Sequence, residues 1–425
     1  MHICVLGAGI IGVTSAYRLL QDGHDVTLLD ARPEAGAGTS MGNGAQLSYS
    51  YVAPLADPSV WTHWPHYLFS ADSPLTLKPK LDPAQWRWLI KFLGACNAAR
   101  VKRTTIELLQ LAFYSRDELT RLHQAAPFDF SHRTAGKLVM YTDPAGLASA
   151  RKQVAFQSQY GCRQEVIDAA RCLEIEPALG NASRNGRHWA GGVYTPSEAT
   201  GDCAQFCQGL VTAMRGKAGF RFMPSTAVTQ VNMKDGTIAS VQTDGQAIDA
   251  DAFVLALGAD SAAFARQAGF SLPLYPLKGY SITVPLEDSF TQSAAPQVSI
   301  TDISKKIVYA RLGNRLRVAG RVELVGMDTR IPDRAINELI DGTNELFPGS
   351  ILNQKASQLS PWAGFRPATP SGVPVIGASP VKNLYLNIGQ GALGWTLACG
   401  SAALLAAQIG GRKAAIDDAP FRYGR

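Results

Sequence analysis

The sequence lacks any dense block of Lys and Arg, although its formal net charge is +6. Charged residues make up only 17% of its 425 positions, and the basic ones are scattered singly. Because a nucleic-acid groove needs a concentrated basic stripe, we do not expect a nucleic-acid partner. A weak attraction to an anionic membrane surface or to acidic substrates is compatible with this mild positive excess.

The chain also lacks the cysteine and histidine patterns of metal sites and disulfide frameworks. None of its seven Cys residues forms a C-x-x-C pair, and no two His residues are spaced four apart. We therefore expect no metal ion, no disulfide framework and reduced thiols in the cytoplasm. The apolar N-terminus carries no basic segment, so a signal peptide is not expected.

Residues 384–411 contain no charged side chain, which makes this run long enough to cross a bilayer. Polar residues are nevertheless spread through it, and its glycines cluster at the start. A short strand, a glycine turn and a buried helix fit this composition better than a transmembrane span.

The first thirty residues carry the pattern of a dinucleotide site. A short apolar strand leads into Gly7-x-Gly9-x-x-Gly12, which opens a helix. Gly7 permits a tight turn, Gly9 lets a pyrophosphate approach the helix N-terminus, and Gly12 allows close helix–strand packing. Asp30 ends the next strand, where it can accept hydrogen bonds from a ribose, and Arg32 lies on the adenosine side. A glycine turn used for packing alone is the alternative.

Two further segments favour FAD over NAD. A polar, glycine-rich loop follows Asp30, and its Thr39, Ser40 and Asn43 can contact the pyrophosphate and the ribityl chain. Near the C-terminus, Gly394–Thr396 begins a second helix, whose dipole can stabilise negative charge at N1 and O2 of a reduced flavin. An NAD site has no need of these segments, so we expect FAD.

Strand–helix–strand patterns at the start, middle and end of the chain enclose β-rich stretches. Hairpin turns at KDG and TDG (234–236 and 243–245) indicate an antiparallel meander. We predict an α/β chain, α+β overall, in which a Rossmann FAD-binding domain is interleaved with a β-rich, antiparallel-sheet substrate domain. The predicted ranges are 1–50, 165–272 and 355–425 for the FAD-binding domain, and 51–164 and 273–354 for the substrate-binding or cap domain.

Residues 51–93 combine repeated prolines with large aromatic side chains. Proline sets turns and the rings need a surface to pack against, so we predict a cap folded over a pocket. An irregular satellite core is the alternative. The aromatic residues concerned are Trp61, Trp64, Tyr67, Phe69, Trp86 and Trp88, and His63 and His66 are interpreted as cap residues.

Several longer motifs resemble one family of flavoproteins. They are TSMGNGAQLSYSYVAPLADP, PLYPLKGYSITVP, GNRLRVAGRVELVGMDT, GFRPATPSGVPVIG and KNLYLNIGQGALGWTLACGS. They are similar to those of the bacterial D-amino acid dehydrogenase small subunit, a branch of the D-amino acid oxidase, glycine oxidase and sarcosine oxidase family. The likeness extends from the N-terminus to about residue 411.

The resemblance implies a glutathione-reductase-like Rossmann domain with non-covalent FAD. It also implies oxidative deamination of free D-amino acids to 2-oxo acids and ammonia, by hydride transfer to flavin N5, with electrons passed to a quinone or another respiratory acceptor. A cytoplasmic protein is expected, and peripheral contact with the cytoplasmic face of the inner membrane stays open.

Two other kinds of activity are alternatives. A D-hydroxyproline-type dehydrogenase, or a glycine or D-amino-acid oxidase that uses O2, would share the scaffold. A flavin-binding electron-transfer subunit without substrate chemistry belongs to a different class.

The chain departs from the resembled pattern in two places. Gln390 stands where the branch usually has a histidine in its last glycine turn, which bears on substrate range and acceptor. Met41-Gly42-Asn43 replaces a run of small residues and asparagine. Some members attach flavin covalently through Cys or His, but neither type occurs in residues 39–51 or 362–377, so we expect an extractable flavin.

Hydride transfer needs the substrate Cα–H held against flavin N5, so positioning supplies most of the rate. We predict Arg366 as the ligand of the substrate carboxylate, because a guanidinium matches a carboxylate in a two-point fork and the resemblance places it at the substrate. An interdomain salt bridge is its alternative. Tyr280 binds the same carboxylate or is a core tyrosine, and Lys278 approaches N5 through water or is an exposed strand lysine. Tyr51 is predicted to line the side-chain pocket.

The motifs and the resemblance together predict one set of residues at the FAD. It comprises Gly7, Gly9, Ile10, Ile11, Gly12, Asp30, Ala31, Arg32, Thr39, Ser40, Asn43, Gly44, Ala45, Gln46, Val228, Gly258, Gly364, Arg366, Gly391, Leu393, Gly394, Trp395 and Thr396.

Overall fold

The structure, a computed structural model, describes residues 1–61, 75–351 and 359–424. Its elements in the first half are β1 (His2–Leu6), α1 (Ile10–Gln21), β2 (Asp25–Leu29), β3 (Gln46–Leu47), β4 (Leu75–Leu77), α2 (Pro83–Ala95), α3 (Ala98–Ala125), β5 (Lys137–Tyr141), α4 (Pro144–Ser158), β6 (Glu165–Ile167), α5 (Ala169–Ile175), α6 (Leu179–Arg184), β7 (Gly191–Thr195), β8 (Ala199–Thr200) and α7 (Cys203–Met214). Those in the second half are β9 (Phe220–Met223), β10 (Val228–Lys234), β11 (Thr237–Thr243), β12 (Ala247–Ile248), β13 (Ala252–Leu255), α8 (Ser261–Gln267), β14 (Tyr275–Pro285), α9 (Ser289–Ala294), β15 (Ser299–Asp302), β16 (Ile307–Leu312), β17 (Arg315–Leu324), α10 (Asp333–Leu346), β18 (Trp362–Ala368), β19 (Val375–Ala378), β20 (Leu384–Ile388) and α11 (Gly394–Ile409).

Strand β1 lies inside a six-stranded sheet because its residues are apolar and buried on both faces. The strand order is β19-β20-β13-β1-β2-β9. Val5 is paired in parallel with Leu28 of β2 and with Val254 of β13. Helices α1, α3, α7 and α11 contribute to the largest core cluster, which packs against this sheet. The pair β19–β20 is antiparallel and the others are parallel, and this mostly parallel sheet with helices on it confirms the predicted Rossmann-type fold.

A second, nine-stranded sheet has the order β18-β14-β17-β16-β15-β5-β7-β6, with β4 added beside β17. Most of its pairs are antiparallel, as predicted for the β-rich part of the chain. The pairs β5–β15 and β4–β17 are parallel, so the sheet is mixed. Helix α10 packs on it through an apolar face that joins the second core cluster.

The predicted meander forms a separate three-stranded sheet, β10-β11-β12. Asp235 and Gly236 join the first two strands with φ angles of +51° and +75°. Positive φ at both central positions is what a two-residue hairpin turn requires, and Asp-Gly adopts it readily.

The uncharged run near the C-terminus forms β20, a glycine turn and α11, as the sequence predicts. Residues 391–409 are long and apolar enough to cross a membrane. However, 67% of the apolar stretch within them is buried inside the protein. Several polar side chains within the run have partners in the protein, such as the bond from Asn387 Nδ2 to Ser15 Oγ at 3.0 Å. Its composition is therefore that of a core helix.

The proline- and aromatic-rich region is described in part. Trp64, Tyr67, Phe69, His63 and His66 lie outside the described residues, so the cap stays a prediction. Within α2, by contrast, the ring of Trp88 is buried and stacked on Phe92 at 5.0 Å between centroids. The indole N–H of Trp88 donates to the carbonyl oxygen of Ala368 at 2.8 Å, which fixes α2 against β18.

The division into domains also stays a prediction. Strands β6, β7 and β18 fall in ranges predicted for the FAD-binding domain, but they are hydrogen-bonded into the nine-stranded sheet. The chain therefore crosses between the two large sheets several times, and β18 belongs to the second while its neighbours β19 and β20 belong to the first.

The contact between α11 and α3 gives a test of the packing. A Cβ atom on Gly400 would lie 2.9 Å from Cβ of Ser115 and 3.0 Å from a backbone oxygen of α3. We expect Gly400→Val to lower the free energy of unfolding by about 1–3 kcal/mol, because the two helices must separate to admit it. Urea denaturation measures this change. Gly245→Ala, in open space, is the control and should be neutral; equal stability of both variants would contradict the packing.

Candidate active site

The turn between β1 and α1 contains two glycines that the protein's own packing requires. Gly7 has a φ of +104°, and a Cβ atom there would lie 2.6 Å from the carbonyl oxygen of Ala256. A Cβ atom on Gly12 would lie 1.7 Å from the carbonyl oxygen of Gly7. These close approaches set where α1 begins and bring the end of β13 beside it.

Gly9 differs, because no packing contact in the described structure requires a glycine there. A Cβ atom on Gly9 would meet Oγ of Ser40 at 3.6 Å, an ordinary contact. Gly9 is the N-cap of α1 without a capping side chain, and Ser40 Oγ accepts the N–H of Ile10 at 3.0 Å instead. Other first-turn amides, such as that of Ile11, have no intrahelical partner and carry the positive end of the helix dipole. A bare, positively polarised turn fits a pyrophosphate.

The carboxylate of Asp30 lies at the end of β2 and is held by two backbone amides. Ala8 N donates to Oδ2 at 2.7 Å, and Arg32 N donates to Oδ1 at 2.8 Å. Each oxygen keeps a second lone pair, so a ribose hydroxyl can still be accepted. The guanidinium of Arg32 lies over Gly38, 3.1 Å from the position of a Cβ atom on that glycine.

Three other predicted cofactor residues lie near Asp30 in the chain or in the fold. Ala31 follows it and is exposed. Val228 begins β10, two residues after Thr226, whose N–H donates to the carbonyl oxygen of Asp30 at 2.7 Å. Gly258, shortly after β13, has a φ of +58° and open space where a Cβ atom would stand.

The polar loop after β2 rests on the nine-stranded sheet. The carbonyl oxygen of Asn43 accepts a hydrogen bond from Arg317 Nη1 at 2.8 Å, and its side-chain Oδ1 accepts one from Ala45 N at 3.0 Å. A Cβ atom on Gly44 would lie 3.1 Å from a valine side chain of β16. Gln46 Nε2 donates to a carbonyl oxygen of β15 at 3.2 Å. The loop is thus positioned by the nine-stranded sheet. Its Ser40 also caps α1, which packs on the six-stranded sheet.

The indole of Trp362 covers two glycines at this junction. A Cβ atom would lie 2.1 Å from its ring on Gly42 and 1.9 Å from it on Gly364. Trp362 was missing from the predicted site, although it lies two residues before Gly364, where the motif begins. Its position beside that motif was the available signal.

The C-terminal glycine turn meets β18 from the other side. Gln390 forms an antiparallel bridge with Ala368, two residues after Arg366. The buried side chain of Gln390 donates to Asn387 Oδ1 at 2.7 Å, so the residue that departs from the resembled pattern is held by a neighbour. After the turn, α11 begins without a capping side chain, which leaves its dipole available to a negative group.

The predicted residues of this turn have different surroundings. Gly391 has open space where a Cβ atom would stand, and Gly394 would meet only Cβ of Gln390, at 4.0 Å. Leu393 is half-buried. Trp395 is buried, and its Nε1 donates to a backbone carbonyl at 3.1 Å.

Four contacts join the three predicted cofactor segments to each other and to β18. They are Ile10 N to Ser40 Oγ at 3.0 Å, Thr39 Oγ1 to Phe365 O at 3.1 Å, Ser48 N to Thr396 Oγ1 at 3.2 Å, and the backbone bridge of Gln390 with Ala368. The segments converge on both sides of Arg366. A cofactor in which a pyrophosphate joins an adenosine at one end to a ribityl chain and a flavin at the other fits this arrangement.

Arg366 presents a guanidinium without a carboxylate partner among the described residues. Nη1 donates to the carbonyl oxygen of Arg321 at 3.2 Å, and the guanidinium lies over Gly279, 2.4 Å from the position of a Cβ atom there. Desolvation lowers the pKa of Arg366 to about 10, so the group is still charged at neutral pH. On the same face of β14, the buried hydroxyl of Ser281 also has no hydrogen-bond partner in the described structure. This face is suited to receive an anionic, hydrogen-bonding ligand.

Lys278 and Tyr280 lie on the opposite face of β14, because side chains alternate along a strand and Gly279 faces Arg366. The hydroxyl of Tyr280 donates to Glu323 Oε2 at 2.6 Å, and burial, followed by this carboxylate, raises the pKa of Tyr280. Lys278 donates to the carbonyl oxygen of Arg330, and burial lowers its pKa. The structure therefore does not bring these two residues together with Arg366, and their roles at the substrate stay predictions.

Tyr51 rests on a buried lysine that sequence reasoning missed. Lys137 Nζ lies 4.1 Å from the centroid of the Tyr51 ring and donates to Gln46 Oε1 at 2.9 Å and Ser48 Oγ at 3.0 Å. Burial lowers the pKa of Lys137 to about 8. Glu198, also buried and missed, accepts the N–H groups that follow Ser48. Neither residue lies in a recognisable motif, so the sequence offered no signal for them.

The structure combines a Rossmann turn, a second uncapped helix N-terminus and a long mixed sheet, and these converge near β18. This is the architecture of a flavin-dependent oxidoreductase. The sequence matches the DAO family of FAD dependent oxidoreductases over residues 2–408. The chain belongs to this family, and FAD is its cofactor. The predicted resemblance is confirmed.

Close relatives cover the entire chain. D-amino acid dehydrogenase 2 of Ralstonia nicotianae is 47% identical over 428 residues, which is 100% of both chains. D-amino acid dehydrogenase 2 of Pseudomonas aeruginosa is 44% identical, over 98% of this chain and 96% of its own. Among solved structures, glycine oxidase from Geobacillus kaustophilus is similar in fold, with a TM-score of 0.75 at 20% identity over 100% of this chain and 98% of that one.

The different surroundings of the glycines predict different effects of substitution. Gly9→Ala should leave the fold intact and reduce FAD affinity at least about tenfold, because the added methyl group fills the space left for the pyrophosphate. FAD titration monitored by flavin fluorescence measures the affinity, and circular dichroism checks the fold. Gly12→Ala should instead lower the folding stability. Full FAD affinity in Gly9→Ala would show that the turn serves packing alone.

The position of Tyr280 gives a second test. Tyr280→Phe should lower the free energy of unfolding by about 1–3 kcal/mol, because buried Glu323 loses a hydrogen-bond donor. It should leave unchanged the substrate concentration that gives half-maximal flavin reduction, since the hydroxyl lies on the face opposite Arg366. Urea denaturation and stopped-flow absorbance measure the two quantities. A large increase in that concentration would support the predicted role of Tyr280 at the substrate carboxylate.

Proposed function

We propose that the chain oxidises a free D-amino acid to the imino acid, which hydrolyses to a 2-oxo acid and ammonia, and passes the electrons to a quinone. The observation that carries this proposal is the guanidinium of Arg366, which has no carboxylate partner among the described residues. The relatives named D-amino acid dehydrogenase, at 47% and 44% identity, support the substrate class and its configuration.

Arg366 binds the substrate carboxylate in this proposal. A guanidinium and a carboxylate can form two parallel hydrogen bonds, which fix the orientation of the substrate as well as its position. Because Arg366 is half-buried, the pair forms in a medium of lower effective dielectric than water and is stronger than it would be on an open surface. Gly279 supports this geometry by leaving the space above β14 to the guanidinium. The orphan hydroxyl of Ser281 can bind a further substrate oxygen or a water.

The cofactor side is divided between the converging segments. The α1 N-terminus and Ser40 hold the pyrophosphate, Asp30 holds the ribose, and the α11 N-terminus faces the flavin end. Bound FAD supplies the acceptor for the hydride from the substrate Cα. Residues 39–51 and 362–377 contain no Cys or His, which supports a non-covalent and therefore extractable flavin.

A quinone acceptor, a cytoplasmic location and peripheral contact with the inner membrane complete the proposal. The acceptor alone draws support from the names of the relatives, which are dehydrogenases and so are not named for oxygen use. Quinones dissolve in the bilayer, so a cytoplasmic enzyme that reduces them must reach the membrane surface.

The substitution Arg366→Ala tests the proposed function. Loss of a charge-assisted, two-point contact should slow anaerobic flavin reduction by D-alanine at least about 100-fold while bound FAD is retained. Arg366→Lys, which keeps the charge without the fork, should fall between this variant and the wild type. The rate is measured as bleaching of flavin absorbance, and FAD content is measured after heat release.

Arg171→Ala, which removes an exposed arginine of α5, is the matched control and should bleach at the wild-type rate. Unchanged bleaching in Arg366→Ala would refute the assigned role. Bleaching by L-amino acids in place of D-amino acids would refute the configuration. Reoxidation of the bleached enzyme by O2, faster than by a soluble quinone analogue, would make the protein an oxidase.

A further inference from the structure

The positive charge of the chain is concentrated in one stretch. Residues 78–106 contain seven basic side chains and one acidic side chain, so this stretch alone carries a formal charge of +6, equal to that of the complete chain. The basic residues are Lys78, Lys80, Arg87, Lys91, Arg100, Lys102 and Arg103. Because most of them are separated by uncharged residues, the concentration is not visible as a block in the sequence.

All seven of these basic side chains are exposed. Arg103 is paired with Glu107 at 3.8 Å. The guanidinium groups of Arg87 and Arg100 donate to backbone carbonyl oxygens of their own segment, at 3.2 Å and 3.0 Å. The surface therefore presents a positive field that the acidic side chain within the stretch, Asp82, neutralises only in part.

Large apolar side chains protrude among these charges. Leu81 is fully exposed, Ile90 is 69% exposed and Trp86 is 45% exposed. Trp86 and Ile90 are one helical turn apart on α2 and so lie on one side of it. The indole N–H of Trp86 donates to the carbonyl oxygen of Lys80 at 2.9 Å, which brings the ring beside Leu81. Together they form a continuous apolar strip bordered by basic residues.

The other face of α2 is fully used by the fold. Trp88, Leu89 and Phe92 are buried against the strands that carry the active site. Trp88 Nε1 donates to Ala368 O at 2.8 Å, two residues from Arg366. The exposed strip is therefore separated from the substrate-binding strand by one helix, about 10 Å thick.

We propose that the outward face of α2, with the flanking basic residues of 78–103, docks on an anionic phospholipid bilayer. Tryptophan with its polar N–H prefers the headgroup region, and leucine and isoleucine enter the upper acyl layer. Lysine and arginine pair with lipid phosphates, and each contributes by its charge. Four of the seven basic residues are lysines, a residue type that is depleted in protein interfaces, which favours the bilayer over a protein partner. This docking rests on the proposed function, because its role is to place the substrate-binding strand next to the membrane that holds the quinone.

Vesicle sedimentation of the FAD-loaded protein tests the docking surface. The probes are phosphatidylcholine vesicles with and without phosphatidylglycerol. The wild type should bind the anionic vesicles, with affinity that falls as salt is raised. Arg87→Gln combined with Lys91→Gln should weaken this binding about 30-fold, at roughly fivefold per charge. Arg221→Gln combined with Lys234→Gln, exposed on β9 and β10, removes equal charge outside this surface and should change binding by less than about twofold.

The apolar strip has its own matched pair of variants. Ile90→Ser should weaken vesicle binding several-fold, whereas Phe290→Ser, at another apolar side chain that is 59% exposed, should not. Absence of wild-type binding to anionic vesicles, or equal losses in test and control variants, would overturn the proposal. Binding to native membranes that disappears on trypsin treatment, without binding to protein-free vesicles, would replace the bilayer by an acidic protein partner and also overturn it.

The same samples separate this proposal from the proposed function. Bleaching by D-alanine in solution does not involve the outer face of α2, so every docking variant should bleach at the wild-type rate. Failed bleaching with intact vesicle binding refutes the enzymatic function alone. Intact bleaching without vesicle binding refutes the docking surface alone.

Discussion

Holding a guanidinium partly away from water, without an anionic partner among the described residues, is unfavourable, and the junction between the two large sheets is arranged around that constraint. Arg366 lies on β18, which the cofactor loop contacts at Phe365 and the C-terminal turn contacts at Ala368. A strand anchored on both sides can keep a charged side chain in one position, where a flexible strand would let it turn toward solvent. In the proposed function the substrate carboxylate becomes that partner, and the cost of holding the guanidinium there is met when the protein folds.

The overall architecture could be predicted because it is encoded locally. The glycine turn at residues 7–12, the Asp-Gly hairpins and the uncharged run near the C-terminus each specify a conformation through their own residues. The meeting of the cofactor loop, the C-terminal turn and β18 followed from the motifs and from a family resemblance. Within the described residues, contacts such as Thr39 with Phe365 now connect these segments directly.

Side-chain partners across the sheets could not be predicted in the same way. Tyr280 looked like a substrate ligand because its motif was recognised, but the face it occupies depends on the alternation of β14 and on a bulge in β17. Lys137 and Glu198 are brought under the cofactor loop from β5 and from the approach to β8, more than eighty residues from the side chains they contact. Such pairings arise from tertiary structure, and no local pattern records them.

The crossing of the chain between the two sheets has a consequence for biosynthesis. α1 leaves the ribosome long before α11, against which it is packed. The uncapped N-terminus of α11 is likewise absent until that helix has been synthesised. The nascent chain must therefore keep α1 from aggregating until α11 arrives, and an FAD site built from both helices is complete only then.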